Sequence, residues 1–273
     1  MATVREALTA SADALKAAGV EDPRLDAEIL LAEANGWDRA ALVANPSADV
    51  PALAARRFGE MVRRRLRREP VAYILGRRGF RRIELAVDRR VLIPRPETEL
   101  LVELALELRP RSVLDVGTGS GAVALAIADE LPGCEVTATD TSVEALEVAA
   151  ANAEQLGLSK RVRFLEGSVP AGEEFELVVA NLPYVASGDW PSLQPEVTHW
   201  EPRRALLAGA DGLDEIRQLV PEVKRGTLAL EVGERQAPAV SELLRDAGFG
   251  AVETRLDLAG IERVVIGKSG AGK

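Results

Sequence analysis

The 273-residue chain has one cysteine, Cys134, and one histidine, His199. A lone thiol forms neither an internal disulfide nor a cysteine metal cluster. A lone imidazole excludes His-rich metal sites, so no metal is expected. No run of about 18 uncharged apolar residues occurs, which excludes a transmembrane helix. The opening residues Met1-Ala2-Thr3-Val4-Arg5-Glu6 acquire charge at once and lack the apolar core of a signal peptide. With so little cysteine and no membrane signal, the expected compartment is the cytoplasm, without a membrane partner. What is present, 47% hydrophobic and 28% charged residues, is the composition of a globular protein. The length suits one large domain or two unequal ones.

The net charge of −9 is unevenly spread. Residues 56–95 hold fourteen arginines against four acids, a local charge of +10 inside an acidic chain. Such a segment points to a localised anionic contact rather than to a nucleic-acid coat, and its plainer reading is a solvated helix face.

The first part of the chain reads as helices. Thr3 and Glu6 form a capping box, after which Leu8, Ala12, Leu15 and Ala18 recur at helical spacing up to Gly19. Asp22-Pro23 starts a second helix that Gly36 stops, Asp38 caps a short third, and Pro51 to Arg68 makes a fourth. Residues 82–87 alternate like a strand between Gly76, Gly79 and Pro94, which suggests a hairpin linker. From residue 111 strands are expected at 112–116, 135–139, 162–166, 176–180, 227–231, 249–254 and 262–267. Helices are expected at 121–131, 142–156, 212–223 and 235–247. That alternation means a mostly parallel sheet with helices on both faces. The connection 181–211 is too long for a simple link and is read as functional. The expected division is a helical substrate-recognition domain over 1–75, a hairpin linker over 76–95, an α/β domain over 96–267 and a disordered tail over 268–273.

Three motifs carry chemistry. Asp115-Val116-Gly117-Thr118-Gly119-Ser120-Gly121 ends a buried strand, turns on glycines and opens a helix whose N-terminus favours a negative ligand group. Its G-x-G-x-G spacing is not the dinucleotide fingerprint, and no Walker lysine follows. Asp140 ends the next strand, where an acid can accept both ribose hydroxyls of an adenosine ligand; its plainer reading is a helix cap, a job that Ser142 also fits. Asn181-Leu182-Pro183-Tyr184 leaves a third strand. The Asn181 side-chain carbonyl and the following backbone carbonyl offer two acceptors for a planar NH₂ group. Pro183 stiffens the turn, and Tyr184 offers a ring face. Two acceptors orient and polarise a poor nitrogen nucleophile without a strong base.

Taken together, these residues resemble the class I S-adenosylmethionine-dependent methyltransferases that modify planar amino nitrogens through an Asn/Asp-Pro-Pro-Tyr motif. Further blocks narrow the resemblance to the peptide chain release factor glutamine N5-methyltransferases. They are Pro70-Val71-Ala72-Tyr73-Ile74-Leu75-Gly76, Ile93-Pro94-Arg95-Pro96-Glu97-Thr98-Glu99, Trp200-Glu201-Pro202 and Leu230-Glu231-Val232-Gly233. The similarity runs over nearly the whole chain. It implies a Rossmann-like seven-stranded α/β methyltransferase domain preceded by a small all-α bundle and a β-hairpin. It also implies S-adenosylmethionine as cofactor and class 1 release factors as protein substrate. Two positions depart from the family pattern: Leu182 stands where the first Pro is usual, and Gly167-Ser168-Val169 where Gly-Asp-aromatic is usual.

On this resemblance the cofactor residues are Gly117, Thr118, Gly119, Ser120, Gly121, Asp140, Ser168, Val169 and Asn181. The catalytic residues are Asn181, Pro183 and Tyr184, and the acceptor amide is held by Asn181, Leu182, Pro183 and Tyr184. Glu97 and Thr98 either cap a helix or cover the cofactor, Glu231 is read as structural, and His199 is not read as catalytic. Alternatives stay open. A nucleic-acid adenine or guanine amine, or a glutamine of a ribosomal protein, is also a flat NH₂ group. A helical adaptor fused to an inactive nucleotide-binding domain is the non-enzyme reading. Direct nucleic-acid binding is not expected of an acidic chain without a recognisable base-reading domain.

Overall fold

The computed structural model describes residues 2–269. In chain order its helices begin with α1 (Val4–Ala17), α2 (Pro23–Asn35), α3 (Arg39–Ala44), α4 (Ala52–Leu66) and α5 (Val71–Leu75). The strands β1 (Arg77–Phe80) and β2 (Ile83–Ala86) follow, then α6 (Glu99–Leu108), β3 (Ser112–Val116), α7 (Ala122–Glu130), β4 (Glu135–Asp140) and α8 (Val143–Gln155). Next come β5 (Val162–Glu166), β6 (Leu177–Ala180), α9 (Pro195–Trp200), α10 (Asp214–Leu219), β7 (Thr227–Glu231), α11 (Ala237–Asp246), β8 (Phe249–Leu256) and β9 (Glu262–Ser269). Contacts divide the chain into Met1–Arg77 with Gln194–Trp200, and Arg78–Leu193 with Glu201–Lys273.

The first unit is helical. Thr3 forms the expected capping box: its backbone N–H donates to Glu6 Oε2 at 2.8 Å and its hydroxyl accepts from Glu6 N at 3.3 Å. Asp38 accepts from Ala41 N at 2.7 Å, as an N-cap should. Asp22 makes no side-chain cap bond, so the start of α2 rests on Pro23 instead. Leu8, Leu15, Leu30, Leu31, Phe58 and Val62 form the core. Helix α9, inside the connection 181–211, belongs to this unit and was not anticipated. Glu196 on α9 accepts from Arg65 Nη2 at 2.6 Å and from Arg68 Nε and Nη2 at 2.7 and 2.6 Å, while Arg65 Nε donates to Asp26 at 2.6 Å.

These bonds limit the plainer reading of residues 56–95 as a solvated helix face. Arg65 is buried, and Arg64 grips Glu69 and the carbonyls of Tyr73 and Ile74. Buried guanidinium groups need partners, and the acids of neighbouring helices supply them. Arg57, Arg63 and Arg67 are exposed.

The second unit carries a seven-stranded sheet in the order β5-β4-β3-β6-β7-β9-β8. The strands β3 to β7 run parallel, and β9 is antiparallel to both β7 and β8. Side chains alternate between the faces. Val113, Val179 and Ala229 pack in one core with Leu101, Ile127 and Ala153 of α6, α7 and α8. Leu114, Val178 and Leu228 pack in the other with Ile216, Val240 and Leu244 of α10 and α11. The expected alternation, parallel sheet and two helical layers are all present.

The hairpin β1–β2 is packed rather than suspended between parts. Phe80, Ile83 and Leu85 are buried in the first of these cores. Asn152 of α8 pairs with both the N–H and C=O of Ala86, at 2.7 and 3.0 Å. Strand β9 reaches Ser269, whose N–H donates to Gly226 O at 3.0 Å, so Lys268 and Ser269 pair in the sheet. The rest of the expected disordered tail, residues 270–273, lies outside the described residues.

Candidate active site

The chain reverses its strand order at β3, between β4 and β6, and ligands bind beyond the carboxyl ends of strands at such a point. There Gly117 adopts φ +74°, and a Cβ on it would stand 3.0 Å from Leu182 Cδ2. The left-handed turn calls for glycine, and the Asn181–Leu182 segment passes close beside it. The N–H groups of Gly117 and Thr118 both donate to Thr139 O. Asp140 holds the loop from the side: Oδ2 accepts from Gly119 N at 2.9 Å and Oδ1 from Ser142 N at 2.8 Å. Beneath it, buried Asp115 accepts from the Thr118 hydroxyl at 2.7 Å and Ala124 N at 3.1 Å, and burial pushes its carboxyl up to about 6.

A cavity of about 380 Å³ opens over this loop. It brings together Gly117, Thr118, Gly119, Ser120, Asp140, Ser168, Asn181, Leu182 and Pro183. Gly121, Val169 and Tyr184 are not among its lining residues. Gly121 serves the packing of α7, since a Cβ there would fall 2.8 Å from Leu125 Cδ1. Val169 packs against the core of Leu114 and Leu228. Its N–H and the Ser168 hydroxyl approach Glu222 Oε2 at 3.4 and 2.7 Å. Glu222 lines the cavity, so a carboxylate stands at this end although residue 168 is serine.

Asn181 follows β6 directly, and its Nδ2 donates to Thr98 Oγ1 at 2.9 Å. Thr98 is 4% exposed and makes no helix-cap bond. The Tyr184 carbonyl accepts from Gln236 Nε2 at 2.9 Å. Burial, together with the Glu231 charge, pushes the Tyr184 hydroxyl up to about 12. Glu231 ends β7, is 2% exposed, and burial pushes its carboxyl up to about 7. Glu201 accepts from Ile93 N at 3.1 Å and from Arg95 at 2.5 Å, tying the segment before Thr98 to the long connection.

Residues 6–76 match the PrmC N-terminal domain family and residues 96–194 the Methyltransferase small domain family. A release factor glutamine methyltransferase of Xylella fastidiosa (strain Temecula1) is 46% identical over 93% of this chain and 97% of its own length. Those of Caulobacter vibrioides and Deinococcus radiodurans are each 42% identical, over 97% and 98% of this chain and 96% and 99% of theirs. The chain belongs to the release factor glutamine methyltransferase family. Among solved structures, the hMettl16 catalytic domain in complex with a MAT2A 3'UTR hairpin aligns with TM-score 0.56 at 16% identity, over 67% of this chain and 75% of that one. That likeness shows the methyltransferase fold alone.

Three polar residues bear on this site without standing among its expected residues: Thr98 and Glu222 line the cavity, and buried Glu231 ends the strand beside β6. Thr98 and Glu231 lie in blocks that were noticed, the first read as a helix cap or a cover over the cofactor and the second as structural. Their signal was the position of each: one just before α6, the other at the carboxyl end of a parallel strand beside β6. Glu222 follows α10 and carried no sequence signal. His199 lies on α9, in the helical unit.

Proposed function

We propose that the chain transfers the methyl group of S-adenosylmethionine to the side-chain amide nitrogen (N5) of the glutamine in the Gly-Gly-Gln motif of class 1 peptide chain release factors. The observation that carries this reading is the state of Asn181 at the cavity wall. Its Nδ2 is engaged by Thr98, which leaves Oδ1 as an acceptor for an incoming N–H.

The cofactor suits the residues present. The cavity volume falls in the roughly 300–1,000 Å³ range of small-molecule sites. A Cβ on Gly119 would meet no protein atom within 4 Å, as expected of a loop that faces a ligand. Gly117, Thr118, Gly119 and Ser120 would hold the methionine end and Asp140 the ribose. Glu222, with Ser168, offers an acceptor for the adenine amine. When bound, S-adenosylmethionine supplies an electrophilic methyl on a sulfonium, and S-adenosylhomocysteine is the product.

The chain's own contribution is orientation. An amide nitrogen is a weak nucleophile because its lone pair is delocalised into the carbonyl. Asn181 Oδ1 and the Leu182 carbonyl accept hydrogen bonds from its two N–H groups, which turns its face toward the methyl and raises its electron density, and the proton that the nitrogen sheds on methylation passes to water. Pro183 limits the turn, and Tyr184 packs behind it. The helical unit offers a second surface for the protein substrate, since one glutamine in a small loop presents little area.

Transfer of tritiated methyl to purified release factor, with DNA, RNA and ribosomal protein as competing acceptors, tests the reading. Release factor is the expected acceptor, and Asn181→Ala is expected to lower turnover by about a hundredfold with little change in melting temperature. Preferred methylation of any other acceptor would overturn the proposal.

A further inference from the structure

Strands β6 and β7 are neighbours in the sheet; the Asn181–Tyr184 turn leaves one, and Val232 and Gly233 leave the other. Gln236 joins the two exits. Its Nε2 donates to Tyr184 O at 2.9 Å and to Asp211 O at 3.3 Å, and its Oε1 accepts from Gly233 N at 2.8 Å. Gln236 stands at the N-cap of α11, yet its side chain makes no cap bond. The amide serves the turn rather than the helix. A glutamine side chain has two N–H donors and one carbonyl. Here both donors meet carbonyl oxygens and the carbonyl meets an N–H, so one orientation alone satisfies all three partners.

The same side chain holds the floor under the tyrosine ring. A Cβ on Gly233 would come 3.2 Å from Tyr184 Cδ2 and 2.9 Å from Gln236 Oε1, so the ring edge lies directly on this glycine. A Cβ on Gly212 would overlap the Tyr184 carbonyl oxygen and come 2.7 Å from Gln236 Nε2. One amide thus fixes the Tyr184 backbone, the loop beside it at Asp211, and the glycine beneath its ring. The next residue, Val185, is tied to Leu206 and Ala208 by backbone bonds, which leaves the Tyr184 carbonyl to Gln236.

We propose that Gln236 is a positioning residue for methyl transfer: through Tyr184 it sets the wall on which the acceptor amide packs. The inference rests on the methyltransferase reading above, in which Tyr184 packs behind the acceptor, and adds the group that holds that ring. Such support matters because a planar group packed on a ring slides and turns easily. A misplacement of about 1 Å can cost a rate about a hundredfold.

The test uses Gln236→Glu and Gly233→Ala in the full chain. Glutamate keeps the shape and the acceptor for Gly233 N–H, but in its ionised form it has no donor for the two carbonyls. Alanine at 233 brings no charge and no left-handed backbone strain, and its methyl displaces the ring from below. In steady-state methylation of release factor, both variants are expected to lower kcat by about tenfold to a hundredfold. KM for release factor and the calorimetric Kd of S-adenosylhomocysteine are expected to stay within about threefold, since neither change touches the glycine loop. Thermal unfolding is followed in parallel, and kcat is read well below each transition. A second readout needs no acceptor. The chain has two tyrosines, Tyr73 and Tyr184. In protein labelled with ¹³C-tyrosine, the Tyr184 ring signals should shift in both variants while those of Tyr73, on α5, stay in place. Tyr73→Phe assigns the pair. A wild-type kcat in both variants, or Tyr184 signals that do not move, overturns the positioning role. A fall in kcat that follows lost S-adenosylhomocysteine affinity also overturns it, in favour of a role in folding the site. If the wild type methylates another acceptor instead of release factor while the Tyr184 signals shift as expected, the substrate reading fails, and kcat on that acceptor then decides the role of Gln236.

Discussion

Replacing Asp140 with alanine separates a cofactor-binding role from a merely structural one. In the fold each carboxylate oxygen already accepts one backbone N–H, from Gly119 at 2.9 Å and from Ser142 at 2.8 Å. An ionised carboxylate offers about four acceptor positions, so about two remain for the ribose hydroxyls. Losing charge-assisted bonds to a ligand costs about 1.5–3 kcal/mol. That corresponds to a Kd raised roughly 10- to 150-fold. Asp140→Ala also releases Gly119 N, so the loop would have to be ordered by the ligand itself, which pushes the loss toward the upper end. The assay is calorimetric titration of S-adenosylhomocysteine into wild type and variant, with thermal unfolding in parallel. The ligand-induced rise in melting temperature should shrink in the variant, because stabilisation by a ligand follows its concentration relative to Kd. A Kd within about threefold of wild type, less than 1 kcal/mol, would refute the ribose assignment and leave Asp140 as a loop brace.

Three further outcomes are expected. Arg65→Met leaves Asp26 and Glu196 facing a buried apolar side chain; breaking such a pair costs about 3–5 kcal/mol. Arg68 still serves Glu196, so the low end is expected in urea unfolding, and a loss below about 1 kcal/mol would show that the network contributes little. Charge reversal at Arg57, Arg63 and Arg67, which are exposed, should slow association with release factor at low salt and leave the rate at saturating substrate unchanged. Equal stopped-flow association rates would remove the steering role; Arg64 is spared because its bonds to Glu69 hold the helical unit. Burial raises the Asp115 carboxyl from 3.8 to about 6, so its ionised form opposes folding above pH 6 and that cost is relieved as pH falls toward 4. Wild type should therefore gain roughly 2 kcal/mol on Asp115→Asn between pH 7 and 4.5, and a pH-independent difference between the two would exclude this ionisation.

Much of the fold and part of the site could be read from local pattern. Each parallel strand is a short apolar run bounded by turns, and its helix follows at helical period, so β3 to β7 were placed within a residue or two. Motifs contiguous in the chain, Gly117 to Gly121 and Asn181 to Tyr184, were legible because the chemistry they suggest is carried by neighbours in sequence. Gly121 and Val169 were read by the same contiguity, and both also take part in packing. Helix α9 was missed because six residues with one proline make too short a run for periodicity to register.

The amino-acid sequence by itself determined the element order, the parallel sheet, the glycine turn and the residue types at the strand ends, since each depends on spacing and on local backbone preference. Only the tertiary structure decided which arginines are buried, that Glu196 closes a charge network with Asp26 and Arg65, and that Thr98 reaches Asn181 across 83 positions. Hydrogen bonds and ion pairs act over about 3 Å, whatever the separation along the chain. Only folding brings such partners within that distance, and Asn181 takes its orientation from groups that sequence spacing does not connect.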